Sequence, residues 1–231
     1  MKTLNPNCLF AFIGLSVIAT FSNCTSTKSF TTAKASIDFA NTLETGDSEI
    51  KYDSRTNMNI VVYHDVPLTG TLMENLDVER DDTVAISKPA PYFGVGAGIE
   101  YIGKGAKSQN GGGTVGLNYL EIPMHLLYHY PLQTGSLYAG FGPYFAYGIG
   151  GQIKATGFQE SSFGEDNGGY KRFDFGLGLM VGYRLDMGAS LDLSYDFGLA
   201  NIAYSDLDVS SHNRCFSINI GYEIGHLFSN R

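Results

Sequence analysis

From Pro91 onward, apolar and polar residues alternate with a period of two, the pattern of strands whose two faces meet different surroundings. Six runs carry it: Pro91 to Gly103, Leu117 to Tyr130, Leu137 to Gly151, Lys171 to Leu185, Ala189 to Ala200 and Arg214 to Phe228. Each is long enough to cross a bilayer as a tilted strand, which takes about 9 to 11 residues. One parity is bulky and apolar, for example Phe93, Val95, Ile99 and Tyr101, or Leu191, Leu193, Tyr195 and Phe197. The other holds Glu100, Glu121, His125, His129, Arg172, Asp174, Arg184, Asp186, Asp192, Asp196, Asn219 and Glu223. Charges on a lipid-facing row are costly, so this second parity points inward. Glycine keeps the same polar parity, as at Gly94, Gly96, Gly98, Gly140, Gly142, Gly176 and Gly178, which suits the cramped interior of a small barrel.

Connection lengths alternate too. Long polar loops are expected at Lys104 to Gly116, Gln152 to Tyr170 and Asn201 to Asn213, and short turns at Pro131 to Ser136 and Asp186 to Gly188. Long loops outside and short turns in the periplasm are the bacterial barrel rule, and a periplasmic carboxyl terminus then requires an even number of strands before Pro91. The candidates are Asn57 to His64 and Asp82 to Ser87, joined by Asp65 to Asp81. The expectation is an all-β, antiparallel up-and-down transmembrane barrel of about eight strands in the outer membrane. Pro123 and Pro143 interrupt good strands, and bulges are expected at both because a closed barrel has no free edge.

Composition agrees: 29 Gly, 15 Tyr, 15 Phe and no Trp, with a net charge of -8 that excludes a basic nucleic-acid surface. At the amino terminus Lys2 precedes an apolar run, Leu9 to Phe21, with Thr20 and Ser22 placed for cleavage after Ser22. The expected organisation is a signal peptide over 1–22, a periplasmic extension over 23–55 and a barrel over 56–231. Cys24 sits where a lipidated cysteine would sit, but Asn23 precedes it where a small residue is wanted. With Cys8 inside the signal, no disulfide framework or metal spacing can be read.

The lumen-lining candidates are Glu121, His125, Arg172, Asp174, Arg184, Asp192, Asp196 and Glu223. Glu121, His125 and His129 share one inward row, but residues four apart on a strand are separated by about 13 Å, too far to share a proton or a metal unaided. No catalytic residue, metal or cofactor is expected. Arg172 and Arg184 among the surplus carboxylates suggest an internal salt-bridge network that plugs the lumen; the alternative is a narrow cation-favouring passage. A soluble lipocalin-type barrel would need its faces inverted, with the largest side chains around a cavity and glycines facing water. A dinucleotide fingerprint at Gly94 to Gly98 lacks the helix it requires.

The segments Asn118 to Pro123, Gly140 to Tyr144, Phe173 to Gly176, Leu191 to Tyr195 and Gly198 to Ile202 together resemble the PorT-type outer-membrane β-barrel proteins of the porin family. The resemblance covers roughly Tyr92 to Phe228 and implies an export signal, a barrel and a closing strand that ends in an aromatic residue, here Phe228. One branch of that family is tied to a protein secretion machinery. The loop Gln152 to Tyr170 carries Phe158, Phe163 and Tyr170 among Glu160, Glu165 and Asp166, a surface for an envelope protein partner or a merely solvated loop; outer-membrane lipid and the barrel assembly machinery are the other expected partners.

Overall fold

The computed structural model describes residues 30–45, 52–68, 90–108, 112–155, 157–164, 169–204 and 210–224. Among the described residues the strands are β1 (Phe30–Thr45), β2 (Tyr52–Pro67), β3 (Tyr92–Ser108), β4 (Thr114–Leu132), β5 (Gly135–Ala155), β6 (Phe158–Ser161), β7 (Phe173–Leu185), β8 (Ala189–Gly198) and β9 (Ser210–Glu223). All pair antiparallel in the order β4-β3-β2-β1-β9-β8-β7-β5, and β4 pairs with β5 to close an eight-stranded barrel. The short β6 folds back on the outer end of β5 and takes no part in the closure.

The two parities separate as the side-chain period requires. Phe141, Leu179, Leu191 and Phe173 are each more than half exposed on the outer wall, while Lys104, Asp174 and Asp192 inside are fully buried. Bulky apolar side chains outside and polar ones within are the reverse of a soluble ligand-binding barrel. Glycine permits this packing: a Cβ at Gly140 would lie 2.7 Å from Leu127 and 2.8 Å from Met180, its lumen-facing neighbours on the two adjacent strands.

Three expectations need correction. The stretch taken as an extension contains β1, which pairs with β9 from Thr32 opposite Glu223 to Thr45 opposite Ser210. Its outward residues are Thr31, Ala33 and Ala35 before Ile37 and Phe39, so the bulky signal that marks the other strands is half missing. The segment Asn57 to His64 falls within β2. Asp82 to Ser87 lies outside the described residues, and the barrel closes on eight strands with β1 as the first. The long connection 68–91 therefore joins β2 to β3 at the same end as the short turns at 133–134 and 186–188, the end that short turns assign to the periplasm, and so departs from the expected alternation of loop lengths.

The second correction concerns Lys104 to Gly116. β3 continues to Ser108 and β4 begins at Thr114, so most of this loop is strand. The third concerns the prolines. Around Pro123 and Pro143 the ladders skip pairs but resume in unchanged register, with Ala97 opposite Met124 and Glu100 opposite Glu121, then Pro123 opposite Tyr144 and Leu126 opposite Phe141. Dropping a bond locally is sufficient, because neighbouring rungs hold the register. The shift in the β4–β5 ladder lies instead at Asn118/Tyr119. Cys24, the residues around Ser22 and Phe228 lie outside the described residues.

Candidate functional site

The lumen is filled in layers. Toward the extracellular end Ile102, Leu117, Tyr119, Tyr144, Phe163 and Ile202 form one apolar cluster; toward the periplasm Val61, Tyr63, Leu127, Tyr138 and Met180 form another. Phe163 comes from the loop after β6. It enters the mouth of the barrel, packs edge-on to Tyr119 at 5.6 Å and occupies the space that Gly148 leaves empty. The hydroxyl of neighbouring Ser162 donates to the Gly116 carbonyl at 2.7 Å, fixing that entry.

A charged centre accompanies the apolar layers. Lys104 of β3 is fully buried and donates from Nζ to Glu121 of β4 at 2.6 Å, with Asp174 of β7 at 3.7 Å and Asp196 of β8 at 3.8 Å. Its ammonium also lies 3.9 Å from the centre of the Tyr144 ring, within cation–π range. Asn213 Nδ2 donates to Asp174 at 2.9 Å, and the Tyr144 hydroxyl donates to the same carboxylate at 3.4 Å. Glu100 faces Glu121 directly across the β3–β4 ladder. Beside them lies a cavity of about 40 Å³ lined by Tyr63, Glu100, Glu121, His125, Asp196 and Asn219, room for a few waters.

Two further ion pairs stitch distant strands together. Lys34 of β1 meets Asp192 of β8 at 2.9 Å, with Tyr63 and Tyr138 rings within 6 Å of its ammonium. Arg184 of β7 donates to Asp65 of β2 at 2.8 Å, and His129 Nε2 lies 3.2 Å from the same carboxylate oxygen. Tyr92 stacks on the His129 ring at 4.6 Å.

The row Glu121, His125, His129 is thus divided among three partners: Lys104, Tyr63, which shares a 3.0 Å hydrogen bond with His125 Nδ1, and Asp65. The structure brings Glu121, Asp174 and Asp196 together and places Asp192 and Arg184 in separate pairs. Glu223 is half-buried at the periplasmic end of β9. Arg172 does not belong to the lumenal network: it is exposed at the outer rim, where Nη1 donates to the Gly148 carbonyl at 2.7 Å and the guanidinium lies over Phe163. Its parity is that of the lumen, but β7 begins one residue later.

Sequence reasoning missed both central cations. Lys104 continues the even parity from Gly94 through Glu100, and that signal was masked by flanking glycines that read as a loop. Lys34 sits on the strand taken as an extension. Among the described residues no group of three His, Cys, Asp or Glu side chains converges in a metal-binding geometry.

A barrel greasy outside, charged within and closed edge to edge is the architecture of a bacterial outer-membrane protein. The outer membrane protein beta-barrel domain family matches the chain over residues 84–204. The chain belongs to that family. As a member of this outer-membrane β-barrel family it resides in the cell outer membrane. A sequence search of curated proteins finds no match. Among solved structures, similar ones include the attachment invasion locus protein Ail of Yersinia pestis, at 13% identity and a TM-score of 0.40, covering 85% of this chain and 97% of that one. Another is OprG of Pseudomonas aeruginosa, at 12% identity and a TM-score of 0.40, covering 85% and 95%. The outer membrane enzyme PagL aligns at 13% identity and a TM-score of 0.41, covering 83% and 99%.

Proposed function

We propose that this outer-membrane barrel is structural, with a plugged lumen, no catalytic activity, and extracellular loops that anchor a protein of the cell envelope. The observation that carries this reading is Lys104, fully buried inside the lumen and bound to carboxylates from β4, β7 and β8. A lysine clamped across the lumen between two apolar layers obstructs passage at a point where no loop movement can relieve it. The finer resemblance to PorT-type proteins fits an anchoring role in a secretion or envelope complex, and outer-membrane lipid and the barrel assembly machinery are the further partners expected. The row Glu121, His125 and His129 supports the non-enzymatic reading, since each of the three is engaged in a structural pair. The test is reconstitution of the full chain in planar bilayers. No steady single-channel current is the expected result; steady conductance steps would overturn the plugged reading and favour a cation-favouring passage past Glu100, Glu121 and Asp196.

A further inference from the structure

Between β2 and β3 the backbone leaves part of the barrel wall unpaired. Ser54 pairs with Ala106 and Ile60 with Tyr101, but between these rungs residues 55–59 of β2 and 102–105 of β3 form no ladder pairs. Among the described residues this is the longest break in any ladder; around Pro123 only two residues per strand are skipped. Side-chain hydrogen bonds span the break instead. Asn57 Nδ2 donates to the Gly103 carbonyl at 2.7 Å, the Gly103 amide donates to Asn59 Oδ1 at 3.0 Å, and Arg55 Nη1 donates to the Lys104 carbonyl at 3.3 Å.

Such straps part more easily than a ladder, because each can swing away by rotating its own side-chain torsions while the strands stay in place. β3 is shaped to receive them. A Cβ at Gly103 would lie 2.8 Å from Asn57 Cγ, and Gly105 holds a φ of +116°, a conformation that side chains rarely adopt. The break starts just above Tyr101, the last aromatic residue of β3, and aromatic residues mark the edge of the apolar belt, where water meets the wall.

A polar cavity adjoins the break from inside. Val61 faces Glu100 on the second rung below it, and both line the cavity of about 40 Å³ together with Glu121, Asp196 and Ser217. Along the axis that cavity lies between the apolar cluster containing Phe163 and the one containing Leu127, Tyr138 and Met180. Asn59 stands in the break and is 2% exposed, yet its Nδ2 has no acceptor among the described residues. Water is the partner that a buried amide donor of this kind calls for.

We propose that the β2–β3 break is a side portal: the straps Asn57, Asn59 and Arg55 part and admit water and small polar solutes from the extracellular interface to the lumenal cavity, while the axial mouth stays shut. The portal goes beyond the plugged reading of the lumen. It leads to a closed cavity and carries no through-current.

Cys215 serves as a native reporter, because its thiol is 1% exposed and lies 3.8 Å from the hydroxyl of Ser217, which lines the cavity. The full chain in nanodiscs is treated with aminoethyl methanethiosulfonate, a small water-soluble thiol reagent, and modification of Cys215 is followed by peptide mass spectrometry. The double variant Asn57→Ala, Asn59→Ala is expected to speed modification roughly tenfold, the effect of removing two side-chain hydrogen bonds. Asn57→Cys with Gly103→Cys, oxidised to a disulfide across the break, is expected to slow it below the wild-type rate. Modification that neither variant changes would overturn the proposal, since access would then bypass the break. Hydrogen exchange of the wild-type chain keeps the test open should the variants fail to give the heat-modifiable folded band: amides of 55–59 and 102–105 are expected to exchange at least roughly tenfold faster than those of 61–66 and 94–97. Equal protection of the two sets would also overturn it.

Discussion

Replacing Lys104 by methionine tests the central claim about the lumen. The side chain keeps its length but loses its charge, leaving Glu121, Asp174 and Asp196, at 2.6, 3.7 and 3.8 Å, without their cation. With an effective dielectric constant of about 20, the gross attraction is about 6 kcal/mol to the nearest carboxylate and about 4 kcal/mol to each of the others. Desolvation of each ion, several kcal/mol, offsets most of that. The net loss expected for Lys104→Met is about 3 to 5 kcal/mol, the cost of a buried charge left unpaired, against a total stability of about 5 to 15 kcal/mol. Urea unfolding in detergent, followed by the boiled and unboiled mobility shift, measures it. Adding Glu121→Gln should return part of the loss, so that the double variant is more stable than Lys104→Met alone. A Lys104→Met barrel within about 1 kcal/mol of wild type, the range of an exposed pair, would refute the claim that this lysine is a buried structural cation.

Other consequences follow from the packing. Gly148→Leu places a side chain where the Phe163 ring sits and should expel the loop from the barrel mouth, costing about 1 to 3 kcal/mol; limited proteolysis near Phe163 should rise, and Phe163→Ala should suppress the stability loss. Arg184→Met leaves Asp65 with only His129 beside it and should lower stability by about 3 kcal/mol, measured by the same urea titration. Leu193→Arg, on the lipid face of β8, should cost about 2 to 4 kcal/mol in bilayers, with a much smaller penalty in a flexible detergent micelle.

Where both faces of a strand are chemically distinct, the sequence is easy to read. β4 alternates Leu120, Ile122, Leu126 and Tyr128 against Glu121, His125 and His129, and every one of these takes the side its parity requires. β1 has the same alternation, but with Thr31, Ala33 and Ala35 on the lipid side, and small residues do not distinguish a membrane wall from a polar linker. The partners of the lumenal charges are non-local: Lys34 and Asp192, or Asp65 and Arg184, are brought together only by closure of the sheet. Parity can orient a side chain inward, but which charge it meets depends on register and shear across strands far apart in the chain. Arg172 marks the limit of that reasoning, because parity says nothing about where a strand stops relative to the rim.

The pairing of β1 with β9 makes assembly an all-or-nothing event. The first strand synthesised finds its second neighbour only when the last is available, and the Lys34 to Asp192 and Arg184 to Asp65 clasps join early strands to late ones from inside. Contacts between the chain's two ends are slow to form because the loop between them must first be closed. A nascent or clipped product lacking β9 would keep two raw edges, each a template for aggregation. The β1–β9 seam is therefore what separates a finished barrel from an open sheet with exposed edges.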